Sequence, residues 1–222
     1  MIFKKVTSID PVAAHIAGLL VQSLTADNRT LWLVSGGSAI AVTAAVCKLL
    51  EGEDLHNLYV TLTDERFGEP GHQNSNWQQL LDAGMSLPGA RLIPVLGGQD
   101  RAATTAAFNQ TLAALLPGVE YRVGFFGVGT DGHTAGILPN SPAVHADVLA
   151  TSYKADDYER ITITPKAIAM LDAAVVYGAG YEKALVFDAL ETAQPLDTQP
   201  AQALKAVSDL IIFNNYKGED AV

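Results

Sequence analysis

The segment 121-YRVGFFGVGTDGHTAGILP-139 contains an apolar run that stops abruptly at a cluster of glycines. The run Tyr121 to Phe126 has the character of a buried strand, and Gly127 to His133 then allow the chain to turn tightly. This turn carries an aspartate and a histidine on either side of one glycine. Its residues alone are compatible with a phosphate loop, a metal site, a catalytic turn or a tight corner.

Short apolar segments of the same kind recur along the chain and alternate with helical patterns. Strands are predicted at 31–37, 58–66, 91–95, 121–129, 160–165, 173–180 and 208–215, and helices at 10–24, 39–50, 75–84, 100–116 and 182–190. Asp10 and Ser75 are the predicted N-caps of their helices. The strands are apolar at consecutive positions, as expected when both faces of a sheet are covered. The pattern predicts one α/β domain over residues 1–222, with a mainly parallel, doubly wound sheet flanked by helices on both faces.

The composition excludes several classes of protein. The hydrophobic fraction of 49% supports a packed core, and the single cysteine, Cys47, excludes a disulfide framework. The net charge of −10, with 14 scattered lysines and arginines, lacks the basic footprint of a nucleic-acid binder. No apolar segment reaches the roughly 18 to 20 residues that span a bilayer, and no signal peptide is recognisable. We therefore expect a cytoplasmic protein without a membrane or nucleic-acid partner, whose anionic ligands are small and held by a few cations.

Polar and glycine residues collect directly after the predicted strands, where the ligand crevice of a parallel sheet lies. The first such group, Ser35, Gly36, Gly37 and Ser38, can present backbone N–H groups and hydroxyl donors to a phosphate at the start of a helix. The group lacks the Walker and dinucleotide-binding patterns. An ordinary strand-to-helix turn explains the same residues equally well.

The charged residues at two other strand ends offer groups for binding and proton transfer. Arg66 can bind phosphate in a bidentate fork, and Asp64 can orient a group or act as a base. A solvated loop with an internal salt bridge is the alternative for this pair. His133 is a natural proton-transfer group near neutral pH, and Asp131 can fix its tautomer. The alternative for His133 is a structural role at the glycine turn.

Two further cations and two further histidines bear on these alternatives. Arg160 begins a predicted strand, and Lys183 lies in the first turn of a predicted helix, where the helix dipole disfavours a cation unless an anion is near. His72 and His145 are available to complete a metal site with His133, but no metal-ligand spacing is present. The sequence therefore predicts no metal.

These motifs together resemble the 6-phosphogluconolactonases, a family related to the glucosamine-6-phosphate deaminases. The resemblance rests on SGGS, TDER, the Ser75-Asn76 pair, GVGTDGHTA, RITIT and GYEKA, which occur in the family's order over about residues 31–190, with a weaker match at 200–204. It implies a Rossmann-like, NagB-type fold and a cytoplasmic enzyme, a monomer or small homo-oligomer. The enzyme would hydrolyse a phosphorylated sugar lactone, 6-phospho-D-glucono-1,5-lactone, to 6-phosphogluconate without metal or organic cofactor.

The resemblance also implies a role for each matching residue. The sugar-phosphate pocket would include Ser35, Gly36, Gly37 and Ser38, and the contacts to phosphate and sugar would come from Arg66, Arg160 and Lys183. Asp131 and His133 match the catalytic Asp-Gly-His turn, and Asp64 matches the acidic residue that faces the sugar.

Several positions depart from the pattern of the 6-phosphogluconolactonases. Another position distinguishes that family from the related deaminases. Ala39-Ile40 stand where the family usually has Thr-Pro, and Gly136 stands where a serine is common. Leu138 occupies the position at which the deaminases carry a glutamate, five residues after the histidine, and this favours the lactonase. The alternatives are a glucosamine-6-phosphate deaminase and a non-catalytic sugar-phosphate-binding protein.

Overall fold

The computed structural model of the protein describes residues 1–221. Its strands are β1 (Ile2–Lys5), β2 (Thr30–Val34), β3 (Leu58–Leu62), β4 (Asp64–Arg66), β5 (Arg91–Leu92), β6 (Tyr121–Phe126), β7 (Ala150–Lys154), β8 (Glu159–Ile163), β9 (Ala173–Gly178), β10 (Asp209–Asn214) and β11 (Glu219–Asp220). Its α-helices are α1 (Asp10–Thr25), α2 (Ile40–Leu49), α3 (Asn76–Asp82), α4 (Arg101–Gly118), α5 (Pro165–Ile168) and α6 (Ala184–Ala189). Three 3₁₀ segments, Gly37–Ala39, Tyr181–Lys183 and Pro200–Ala206, connect or precede these elements.

The main sheet has eight strands in the order β11-β1-β10-β9-β6-β2-β3-β5, and every neighbouring pair is parallel. All five residues of β2 are buried, so both of its faces are covered. The predicted α/β fold with a mainly parallel sheet flanked by helices is confirmed. The strand order reverses between β2 and β6, and a crevice is expected beyond the carboxyl ends of those two strands.

Large apolar side chains on the two central strands form the middle of the core. Trp32 and its neighbours Leu31 and Leu33 on β2 are completely buried, as are Phe125 and Phe126 on β6. Burial of a large apolar side chain stabilises a fold by about 1.5–3 kcal/mol. The two strands that border the crevice are therefore also among the most firmly anchored.

A second, antiparallel sheet has the order β4-β8-β7. The sequence did not predict a second sheet. Residues 58–66 were expected to form one strand, but the chain leaves the main sheet at Thr63. The N–H of Thr63 still bonds to Val34 O in the main sheet (2.8 Å), whereas its carbonyl accepts from Ile163 N in the second sheet (2.9 Å). The predicted strand at 160–165 accordingly belongs to the small sheet, in which Arg66 and Arg160 are register partners.

Of the two predicted N-caps, Ser75 is confirmed and Asp10 is wrong. Ser75 caps α3, because its Oγ accepts from Gln78 N at 3.1 Å. Asp10 is the first residue of α1 and not its N-cap, which is Ile9, and Ser8 Oγ accepts from Asp10 N. None of the helices among residues 1–221 combines the length and the apolarity that crossing a bilayer requires.

Candidate active site

A cleft opens beyond the carboxyl ends of β2 and β6, at the point where the strand order reverses. Its walls are formed by Ser35, Gly36, Gly37, Ser38, Asp64, Arg66, Asn76, Gly127, Val128, Gly129, His133, Ala135, Arg160 and Lys183. All the site residues predicted from the sequence therefore meet here except Asp131, which lies behind His133. The second sheet contributes Asp64, Arg66 and Arg160, so the cleft lies between the two sheets.

Asp131 holds His133 through one carboxylate oxygen. Asp131 Oδ1 lies 2.6 Å from His133 Nδ1 and accepts the backbone N–H of His133 at 3.1 Å. Partial burial pushes the pKa of Asp131 upward, but the hydrogen bonds and charge of His133 outweigh it and leave that pKa below its ordinary value. An ionised carboxylate can only accept, so Nδ1 carries the proton of the neutral imidazole. Nε2 of His133 is then the acceptor that can take a proton.

Glycines allow the turn to bring these two side chains together. A Cβ on Gly129 would stand 2.1 Å from His133 Nδ1 and 2.4 Å from Asp131 Oδ1, so no other residue fits there. Gly132 has a φ of +88°, in the left-handed region that favours glycine. The turn is closed by the bond from Gly129 N to His133 O (2.8 Å), and Ala201 N binds its outer side at Gly132 O (3.0 Å).

Asp64 faces the cleft from the start of β4 and is fixed by its neighbours. Its carboxylate accepts from Thr63 Oγ1 at 3.1 Å and from Asn76 Nδ2 at 3.3 Å. Asn76 is almost fully buried and also donates to Asp64 O at 2.8 Å. A Cβ on Gly36 would lie 2.0 Å from Asn76 Oδ1, so Gly36 allows the close approach of that side chain. The sequence showed Asn76 only as part of a motif, and its role at Asp64 was missed.

Glu65 is a second residue whose role was missed, because its partners come from the following helix. It is completely buried, and its carboxylate accepts from four donors: Arg66 N, Ser75 Oγ, Asn76 N and Trp77 N, at 2.6–3.1 Å. Burial raises the pKa of Glu65, although these hydrogen bonds oppose the shift. Glu65 thus fastens the start of α3 to β4 and holds Asp64 and Arg66 in the cleft wall.

The hydroxyl of Ser35 is directed away from the cleft. Ser35 Oγ donates its single proton to Phe125 O at 2.7 Å and lies 2.8 Å from Thr63 Oγ1. Ser35 therefore ties the ends of β2, β3 and β6 together and has no proton left for a ligand. Of the two serines expected to donate, Ser38 alone can do so.

Three cations enter the cleft from different elements. Lys183 is the last residue of a 3₁₀ turn, and its Nζ donates to Val128 O at 2.8 Å. Arg66 Nη1 donates to Asn74 O at 3.1 Å, and Arg160 Nη2 pairs with Asp157 at 2.7 Å. Arg66 and Arg160 lie opposite each other on β4 and β8, a placement that is unfavourable for like charges unless an anion joins them. The cleft is therefore suited to a small ligand of high negative charge.

The two other histidines that might have completed a metal site have separate partners. His72 Nε2 bonds to Arg66 O at 2.9 Å, and His145 Nε2 bonds to Asp197 Oδ1 at 2.9 Å. Within residues 1–221, no group of three or more His, Cys, Asp or Glu side chains is arranged to hold a metal ion.

The sequence profile described as "Glucosamine-6-phosphate isomerases/6-phosphogluconolactonase" matches residues 4–212 of the chain. The chain belongs to this family. It is 26% identical over 218 residues to the 6-phosphogluconolactonase of Rhizobium meliloti, covering 92% of each chain. It is also 26% identical over 207 residues to that of Haemophilus influenzae, covering 88% of this chain and 89% of the relative.

Solved structures of the family share the fold. The 6-phosphogluconolactonase of Shewanella baltica superposes with a TM-score of 0.83 at 21% identity, over 96% of this chain and 97% of that one. The enzyme of Trypanosoma brucei superposes with a TM-score of 0.76 at 21% identity, over 96% and 94%. The chain therefore has the same overall fold as these two structures.

Proposed function

We propose that this family member is a 6-phosphogluconolactonase, which hydrolyses 6-phospho-D-glucono-1,5-lactone to 6-phospho-D-gluconate in the oxidative pentose phosphate pathway. The observation that carries this proposal is the His133–Asp131 pair at the edge of a cleft that also contains Arg66, Arg160 and Lys183. The pair supplies a base, and the cations supply a site for the phosphate. The enzyme would act in the cytoplasm as a monomer or small homo-oligomer, without a membrane or nucleic-acid partner.

The chemistry follows from the tautomer that Asp131 imposes on His133. In the proposed reaction Nε2 of His133 takes a proton from a water molecule as the water oxygen attacks C1 of the lactone. The C1–O bond of the ring then breaks, and the imidazolium returns the proton to the departing ring oxygen. The ionised carboxylate of Asp131 stabilises the imidazolium between the two steps.

The phosphate lies at the far end of the substrate from C1 and supplies binding energy to position the ring. Arg66 and Arg160 extend from the second sheet, whereas His133 follows a strand of the main sheet. The carboxylate of Asp64, which Asn76 and Thr63 hold in place, is suited to accept hydrogen bonds from sugar hydroxyls. A phosphorylated sugar lactone carries a phosphate for the arginines, hydroxyls for Asp64 and a lactone carbon for the water that His133 activates.

Leu138 argues against the deaminase alternative. Its side chain is partly buried and packs against the hydrophobic core, so no carboxylate is available at the position where the deaminases have one. The hydrogen-bonded His133–Asp131 pair in the cleft argues against a protein that only binds sugar phosphates.

The direct test is lactone hydrolysis measured above the spontaneous background, with wild type and His133→Ala. We expect the substitution to lower turnover by about 10²-fold or more, because the proton-transfer group is lost. Binding of 6-phosphogluconate, measured by calorimetry, should change little. His56→Ala is the matched control: it removes another histidine whose Nδ1 is paired with an aspartate two residues before it, here Asp54 at 2.9 Å, at an exposed site away from the cleft.

Three results would contradict the proposal in different ways. Full activity of His133→Ala would remove that residue from proton transfer. Release of ammonia from glucosamine 6-phosphate would identify the deaminase instead. Binding of phosphosugars by the wild type without turnover of the lactone would identify a binding protein.

A further inference from the structure

The turn between β7 and β8 carries an aromatic side chain that lies against both arginines of the cleft. The guanidinium carbon of Arg66 is 5.2 Å from the centre of the Tyr158 ring, and that of Arg160 is 5.9 Å away. Both distances are within the roughly 6 Å over which a cation is attracted to the face of an aromatic ring. One ring thus contacts two cations that are register partners on neighbouring strands.

The two guanidiniums have few other partners among the described residues. Arg66 donates to a backbone carbonyl, and Arg160 pairs with Asp157, the one carboxylate of residues 1–221 within ion-pair distance of either. The Nε atoms of both arginines are buried without a hydrogen-bond partner within residues 1–221. Two neighbouring cations with a single counter-ion, Asp157 at Arg160, repel each other, so a group that attracts both favours their close approach.

The turn that carries Tyr158 is itself well defined. Ala155 N donates to Tyr158 O at 2.9 Å and closes the turn, while Tyr158 N donates to Asp157 Oδ1 at 2.9 Å. Phe67 N then bonds to Glu159 O at 2.7 Å and joins the end of the turn to the strand segment after Arg66. These bonds join the backbone of the turn to the second sheet, so the residue that carries the ring lies close to both arginines.

We propose that Tyr158 is a positioning residue for phosphate binding, whose ring holds Arg66 and Arg160 together in the cleft before the substrate arrives. This inference rests on the proposed function only in taking the phosphate of the substrate as the anion that the arginines bind. The ring attracts both cations through its electron-rich face, reduces their freedom to move apart, and so lowers the entropy lost when a phosphate joins them. Asp157 completes the arrangement as a counter-ion of Arg160.

Tyr158 contacts the arginines and not the His133–Asp131 pair, so its loss should affect substrate binding and not the chemical step. Loss of the ring should raise KM for the lactone and leave kcat nearly unchanged. It should also weaken the binding of inorganic phosphate. The ring is required and the hydroxyl is not, so Tyr158→Phe should restore both properties.

The experiment measures the Kd of inorganic phosphate by calorimetry and the KM and kcat of lactone hydrolysis for Tyr158→Leu, Tyr158→Phe and wild type. We expect Tyr158→Leu to raise the phosphate Kd and the lactone KM by about fivefold or more, and Tyr158→Phe to stay within about twofold of wild type. Tyr59→Leu is the matched control, because Tyr59 holds Arg91 at 5.0 Å in the same way but outside the cleft. Its phosphate Kd should equal that of wild type.

Unchanged phosphate binding in Tyr158→Leu would overturn the proposal, as would a phenylalanine variant as weak as the leucine variant. If Tyr158→Leu folds poorly by circular dichroism, Tyr158→Gln offers a polar side chain without a ring and should show the same loss. The phosphate measurement does not depend on lactone turnover. A protein that lacked lactonase activity but lost phosphate affinity in Tyr158→Leu would contradict the proposed function and support the role of Tyr158.

Discussion

Asp131 acts on His133 through a single atom, since Oδ1 accepts both the ring and the backbone N–H. We expect Asp131→Asn to reduce lactone turnover by roughly tenfold or more, because a neutral amide does not stabilise an imidazolium as a carboxylate does. The binding of 6-phosphogluconate should change little. Equal turnover of wild type and Asp131→Asn would show that Asp131 serves only to shape the turn.

The same substitution has an effect on stability that depends on pH. The pKa of Asp131 is lower in the folded protein than its ordinary 3.8, so its ionised form stabilises the fold above that pH. This contribution is lost as the pH falls through the lowered pKa. Thermal unfolding of wild type and Asp131→Asn should therefore differ above pH 3.8, and the difference should shrink below that pH. Because the side chain is half exposed, the effect should be small.

At the level of single residues, the sequence was informative where a side chain's role depends on its type and its place after a strand. Arg66 and His133 could be placed in the cleft in this way. The role of Ser35 could not, because its proton goes to Phe125 O, 90 positions along the chain. Tyr158 was missed for a similar reason, since an aromatic residue in a polar turn gives no indication of which cations it will contact.

The junction between the two sheets is the element that distinguishes this fold from a simple parallel sheet. Gly136 lies there, and its N–H donates to Thr162 Oγ1 at 3.0 Å while its carbonyl accepts from Tyr153 Oη at 2.7 Å. A Cβ on Gly136 would stand 2.9 Å from Thr162 Cβ and 3.2 Å from Asp64 Cβ. The backbone at Gly136 therefore lies close against Asp64 and Thr162, which are register partners on β4 and β8.

We expect Gly136→Ala to destabilise the protein by about 1–3 kcal/mol, because the added carbon would press against the Cβ atoms of Thr162 and Asp64. Displacement of Asp64 should also raise KM for the lactone. The measurements are urea unfolding and steady-state kinetics. Gly18→Ala is the matched control: it lies in α1 with no atom near the added carbon, and it should be neutral or stabilising. A Gly136→Ala variant as stable as wild type would mean that the junction has room to adjust.

The sequence predicted the longer elements of the fold and not their partners. The apolar runs of β2, β6, β9 and β10 identify buried strands, since consecutive apolar positions indicate that both faces are covered. The same feature in β8 suggested another strand of the main sheet, although β8 pairs in the other sheet. Strands β1, β7 and β11 went unrecognised, and β1 and β11 have only four and two residues, too few for a periodic pattern.

In the whole molecule, β1 lies between β10 and β11 and covers the edge of β10. Deletion of residues 1–5 should expose that edge and leave β11 without its strand partner. We expect the shortened protein to aggregate at concentrations at which the full chain stays dispersed, because an uncovered edge strand pairs with other chains. Light scattering and size-exclusion chromatography measure this. Removal of residues 219–222 is the control, since β10 then remains covered by β1, and equal aggregation of both proteins would contradict the prediction.

The place of β1 also bears on the order of events during synthesis. Ile2 pairs with Ile211, so β1 must wait for β10, which is made more than 200 residues later, before it can join the sheet. Until then its backbone donors and acceptors are open to solvent or to a chaperone, and β9 has an open edge where β10 will add. The residues that line the cleft lie between 35 and 183, so they can come together while β1 and β10 are still apart. A ribosome-bound chain should therefore assemble the residues of the cleft before its main sheet is complete.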